Sequence, residues 1–444
     1  GELRFENYAI EAGQEESWTS GTYGVVTATE DNQALVGPDG FPLEDLGGNP
    51  YVDDSGAPQI LEYAGVSQLL VKNYALNCQC FRGFAPENES DSWRSVMAAY
   101  LDMELDVNEN LLLSGAVRVE NYSDFGNVMT GKISGRYKIG ENFAIRGSYS
   151  SGFRAPSLQE LNYSHSYTFF LGLTPFDGTL YPNSSSAAKA LGIGQLTEER
   201  SRNISLGFTT KIGKFDITLD AYKIDILDRI FETGEFDSAS APVLEPIIGS
   251  GLASFRINGG DVSTQGIEAV VNYNTNLGAG KLGLVLAGTF RENKFEGANV
   301  PDLNTTLTDD ELVDLYVSRS LIGQFETGTP SSKVIGTLNY SVGKFSAMLR
   351  GTRYGSVQTR DSRTRTLLDG TTDYADQYFT PEFTTDIGLT YKFSDAISLT
   401  VGGNNIFNEY PEIIRYELRT FNLYSQYQQG SAGSYYFGRL TFSL

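Results

Sequence analysis

His165, in "NYSHSYTFF", is the chain's only histidine, and Cys78 and Cys80, in "NCQCF", are its only cysteines. A serine hydrolase needs a nucleophile, a histidine base and an acid within hydrogen-bond reach. No nucleophile motif accompanies His165, so no catalytic residue is assigned and the chain is not read as an enzyme. One histidine and two cysteines fall short of a zinc site, and no metal or cofactor is expected. The cysteine pair leaves two readings open: small side chains in a loop, or a strained loop disulfide in an oxidising compartment. The acidic runs "TDDELVD" (308–314) and "ATEDN" (28–32) carry oxygen ligands for Ca²⁺, although such runs are more often simply solvated.

Recognition rather than catalysis suits the aromatic segments. "YSHSYTFF" sets Tyr163, His165, Tyr167, Phe169 and Phe170 close together. "RYELRTFNLYSQYQQ" (415–429) offers Arg415, Tyr416, Arg419, Tyr424 and Tyr427. Aromatic faces stack on sugars or chelate rings, and arginines hold carboxylates. The competing reading is that these side chains pack the loops on one another.

Both segments need a frame, and period-two alternation supplies it. In "EFTTDIGLTYKF", Phe383, Thr385, Ile387, Leu389, Tyr391 and Phe393 share one face, opposite Thr384, Asp386, Gly388, Thr390 and Lys392. In "WRSVMAAYLDMELD", Trp93, Met97, Ala99, Leu101, Met103 and Leu105 oppose Arg94, Tyr100, Asp102, Glu104 and Asp106. About fourteen such strands are expected, near 3–11, 93–106, 111–122, 127–138, 142–152, 201–212, 214–226, 262–275, 281–292, 332–342, 345–355, 382–393, 396–404 and 434–444. Tight turns such as "IGEN" (139–142), "IGK" (212–214) and "SVGK" (341–344) alternate with long connections over 12–92, 153–200, 227–261, 293–331, 356–381 and 405–433. Soluble domains rarely hold structureless loops of that length, whereas barrels of the bacterial outer membrane combine short turns at one end with long loops at the other. The expected fold is an all-β, antiparallel transmembrane barrel. Closure follows from lipid, which leaves no water for an unpaired strand edge.

Composition agrees. The 444 residues include 48 Gly, 26 Tyr and 26 Phe, with no apolar run long enough for a membrane-crossing helix. A net charge of −22 excludes a nucleic-acid partner, which needs basic surface. The opening "GELRFENYAI" lacks both an initiator Met and a signal-peptide pattern, so a removed leader or a fragment is expected. At the inward parity, Arg146, Arg154 and Glu268 are expected to join a charge network inside the barrel.

"SGFRAPSLQEL" (151–161) resembles the strand-to-loop motif of TonB-dependent outer-membrane receptors. "LTEERSRNISLGF" (196–208), "TQGIEAVVNY" (264–273), "VGGNNIFNEYPE" (401–412) and the last strand "YYFGRLTFSL" (435–444) are similar to further family motifs, in the family's order. "FRGFAPENESDSWRSVMAAYLDMEL" (81–105) is also similar to many members. The last strand departs from the pattern by ending in Leu444 rather than an aromatic residue.

The resemblance implies a nutrient importer of the cell outer membrane. Such receptors take up siderophore-bound iron, vitamin, haem or glycan, with energy delivered through the TonB complex. It also implies a plug inside a 22-stranded barrel, of which residues 1–444 would be the C-terminal portion. Neither plug nor TonB box is recognised here, so both, with the remaining strands, would come from another chain or segment. The alternatives are a self-contained porin-like diffusion channel or a surface adhesin. Oligomeric state and accessory partners are not legible.

Overall fold

In the computed structural model the structure describes residues 1–11, 25–26, 61–63, 66–70, 84, 86–171, 174–362, 364–366, 371–415, 425 and 428–443. Cys78, Cys80, Tyr416, Arg419, Tyr424 and Tyr427 lie outside them, as do the side chains of Phe169 and Phe170.

Fourteen strands form one antiparallel meander in chain order. They are β1 (Glu2–Ile10), β2 (Ser90–Asp106), β3 (Leu111–Tyr122), β4 (Gly126–Ile139), β5 (Phe143–Arg154), β6 (Glu199–Ile212) and β7 (Phe215–Glu232). Then follow β8 (Leu252–Leu277), β9 (Gly280–Ala298), β10 (Ser332–Val342), β11 (Phe345–Tyr354), β12 (Glu382–Lys392), β13 (Ile397–Asn404) and β14 (Tyr435–Phe442). Among the described residues, β1 pairs only with β2 and β14 only with β13.

The alternation explains the wall. Leu101, Met103, Ile133, Leu206, Leu286, Leu349 and Leu389 point outward and stay exposed, Leu206 by 62%. Such a band is stable only against lipid. A groove of about 540 Å³ on this face, lined by Phe215, Val271, Leu286, Leu349 and Phe383, suits acyl chains. The inward face pairs polar side chains across strands, as in Ser114–Ser134 (2.6 Å), Ser148–Ser205 (2.8 Å) and Thr390–Thr400 (2.8 Å). The short-turn end carries tilted aromatic pairs, Phe215–Tyr273 at 4.6 Å and Phe345–Tyr391 at 4.7 Å, placed as an interfacial girdle. Gly213 and Gly343, at φ 61° and 56°, make two of those turns where a side chain would be strained.

Two expectations shift. One turn at the long-loop end, between β3 and β4, is short, with Tyr122 paired to Gly126 across it. Where described, the long connections are also not structureless. β7, β8 and β9 run to 18, 26 and 19 residues, well past the roughly 9–11 that cross a bilayer. Their outer ends, with helices from the loops, enclose a core of Ala187, Leu191, Phe236, Leu244, Ala253, Phe255, Leu303, Tyr316 and Val317. Irregular pairing near Asp228 (φ 56°) and Asp261 marks where wall becomes loop body. Asp228 accepts from Arg200 at 2.6 Å and from Asn258 at 2.8 Å, which holds the bend.

Candidate functional site

The site begins where β5 ends. Pro156 cannot extend the ladder, and Ser157 caps the helix Leu158–Asn162 in a reciprocal box with Glu160. That helix buries Leu158 and packs on β1 and β2. Arg154 fixes its base, donating to Glu199 at 2.7 and 2.9 Å and to Glu160 at 2.8 and 3.0 Å. Burial opposes ionisation of Glu160, but hydrogen bonds from Arg154 and the Ser157 amide outweigh it and hold its pKa below the usual value. The loop then returns as the hairpin His165–Leu171 and Thr174–Tyr181, whose second strand lies parallel to Leu252–Phe255 at the top of β8. One connection thus runs from β1 and β2 to β8.

Along it, alternate residues Tyr163, His165 and Tyr167 form a ladder. Tyr163 and His165 stack at 6.0 Å and 11°, His165 and Tyr167 at 5.9 Å and 15°. Phe84 meets Tyr163 and His165 edge-on at 5.9 and 6.5 Å. The Arg256 guanidinium lies 5.3 Å from the Tyr163 ring centre. At the other end the Tyr167 hydroxyl donates to Glu235 at 3.0 Å, and Ser254 donates to Glu232 at 3.5 Å. The opposite face is consumed by structure: Asn88 donates to buried Ser164 at 2.9 Å, and Ser166 bonds Thr179 at 2.9 Å.

Burial lowers the His165 pKa and raises those of Tyr163 and Tyr167. At neutral pH the ladder is therefore three uncharged rings, with Arg256 over Tyr163, Glu232 directly across from Arg256 in register, and Glu235 at the Tyr167 end. It can stack on planar groups, attract cations to its faces and exchange hydrogen bonds.

The second predicted segment is placed differently. The Arg415 amide donates to Gln377 at 2.9 Å, and its guanidinium donates to the Ala375 carbonyl at 3.1 Å and to that of Asp376. It braces the 371–381 segment. Its predicted companions Tyr416, Arg419 and Tyr424 fall outside the described residues, so no contact between the two segments is drawn. Inside the wall, Arg146 donates to Asp220 at 2.9 and 2.5 Å, and Glu268 sits directly across from Asp220 in register.

Arg256, Glu232, Glu235 and Phe84 were not anticipated. They lie some 65 to 95 residues from the ladder in β7, β8 and neighbouring loops, and no local pattern links them. The capping box Ser157–Glu160, by contrast, is written locally as Ser-x-x-Glu.

A lipid-facing antiparallel meander with a loop-built outer mouth defines an outer-membrane β-barrel. The chain belongs to the TonB dependent receptor-like β-barrel family, whose model matches residues 4–406. That family comprises outer-membrane transport receptors.

Among curated proteins, the ferric enterobactin receptor PirA of Pseudomonas aeruginosa is 23% identical over 135 residues, 30% of this chain and 18% of that protein. The vitamin B12 transporter BtuB of Vibrio vulnificus is 29% identical over 76 residues, 17% of this chain and 12% of that one. The siderophore receptor PirA of Acinetobacter baumannii shares the fold at TM-score 0.56 and 18% identity, covering 80% of this chain and 46% of that one. A ferric enterobactin receptor variant from Pseudomonas aeruginosa superposes equally well, at TM-score 0.56 and 14% identity. The chain therefore spans less than half the length of these relatives.

Proposed function

We propose that the protein imports a scarce small-molecule nutrient across the outer membrane, with energy delivered through TonB. Siderophore-bound iron, vitamin, haem and glycan are the candidate classes. The reading is supported by the family match over residues 4–406 together with an aromatic ladder at the outer mouth. Residues 1–444 act in it as the C-terminal part of the barrel domain. The plug, the TonB box and further strands are contributed from outside them, which the 46% coverage of structural relatives supports.

Uptake of radiolabelled ferric complexes or cobalamin by cells carrying the intact protein tests this. Uptake that stops when the proton gradient is collapsed is the expected result. Gradient-independent passage, with a large constitutive current in planar bilayers, would overturn it in favour of a diffusion channel.

A further inference from the structure

Charge divides between wall and loops almost completely. The strands and short turns hold 23 acidic and 24 basic side chains. The six long connections (11–89, 155–198, 233–251, 299–331, 355–381 and 405–434) hold 32 acidic and nine basic ones. Among the described residues these connections carry 21 acidic and five basic residues, so the excess of negative charge lies at the long-loop end.

Several loop cations are already committed. Arg319 clasps Asp376 at 2.6 and 2.7 Å, Arg360 donates to Glu326 at 2.6 Å, and Arg415 donates to main-chain carbonyls. At the ladder, Arg256 faces Tyr163 and lies across from Glu232 in register, while the Glu235 carboxylate takes the Tyr167 hydroxyl.

From this distribution we infer that the ligand taken at the mouth is cationic or neutral, not a polyanion. The inference rests on the ladder being the ligand site. A polyanionic chelate would approach against the field of the described loop carboxylates, and it needs a cluster of uncommitted arginines or lysines to replace its hydration. A cation gains twice: the loop field steers it inward, and the tyrosine faces attract it once there. Its positive group is placed toward Glu235, the carboxylate at the end away from Arg256, with its planar part against Tyr163, His165 and Tyr167.

The test uses the intact protein in detergent and three iron(III) complexes of different charge: a cationic linear trihydroxamate, a neutral cyclic trihydroxamate and a trianionic tricatecholate. Association is followed by intrinsic fluorescence at about 10 and about 150 mM salt, where screening lengths are about 30 and 8 Å. The cationic or the neutral probe should bind and the trianion should not. Association of the cationic probe should fall about tenfold at the higher salt. The Glu232→Gln, Glu235→Gln double variant should remove most of that salt dependence.

Tighter binding of the trianion overturns the inference, as does failure of both other probes to bind. Tyr163→Ala and Tyr167→Ala separate the two layers. If neither weakens any probe that binds, the ladder is not the site, whatever charge the protein prefers.

Discussion

The wall and the loop body obey opposite rules within one chain. In the wall, Leu101 and Met103 are more than half exposed and the polar groups are inside; in the loop body, Phe236, Leu244 and Phe255 are fully buried. Each region buries apolar surface against what surrounds it, lipid in one case and its own side chains in the other. The loop body is thus a folded unit with a core, and its ladder is positioned by packing.

Four substitutions or conditions set the two regions against each other. Phe236→Ala empties a fully buried site and should destabilise the loop body by about 3–5 kcal/mol. Limited proteolysis would show rapid cleavage in 155–251, while heat-modifiable gel mobility reports an intact wall. Equal loss of both would merge the two regions into one cooperative unit. Leu206→Arg, in the apolar band, should cost about 2–4 kcal/mol on folding into vesicles and leave loop protease resistance unchanged.

Arg154→Ala sits at the join. It removes the pairs with Glu199 and Glu160, but the side chain is 47% exposed and solvent screens it, so the expected loss is about 1 kcal/mol. Ligand affinity should fall with it, because the helix beneath Tyr163 loses its anchor; a double-mutant cycle with Glu199→Gln measures the coupling.

The smallest effect is the pH response of His165. Burial lowers its folded pKa below the reference 6.5, so the folded loop binds fewer protons than the unfolded one. Its contribution is complete above about 6.5 and is lost as pH falls through the folded value. The hydrogen-exchange protection factors at 163–167, which correct for the intrinsic pH dependence of amide exchange, should fall between pH 7.5 and 5 in the native protein and stay flat in His165→Phe.

Alternation made most of the wall legible. The strand expected at 382–393 is found at Glu382–Lys392, because lipid and water face its two sides without interruption. β8 was expected at 262–275 and starts ten residues earlier, at Leu252. There Ala253, Ser254, Phe255 and Ile257 are all buried, so the two faces no longer differ and the period disappears. β9 runs past 292 for the converse reason: Glu292, Lys294 and Glu296 stand on the outward face above the apolar band and read as loop. At the site, the spacing of Tyr163, His165 and Tyr167 showed one face, but its charged neighbours come from distant strands. Arg415 was visible as an arginine among aromatics, yet only tertiary structure shows its guanidinium turned to carbonyls.

The 26-residue β8 makes register errors costly in two separate places. A slip of one residue turns every side chain to the other face. In the wall part of β8 that single error would turn Ile267 away from lipid, while above the irregular pairing near Asp261 the buried Phe255 holds the register of the loop body separately. Lipid fixes the register of the lower part and the loop core fixes that of the upper part, on one continuous strand.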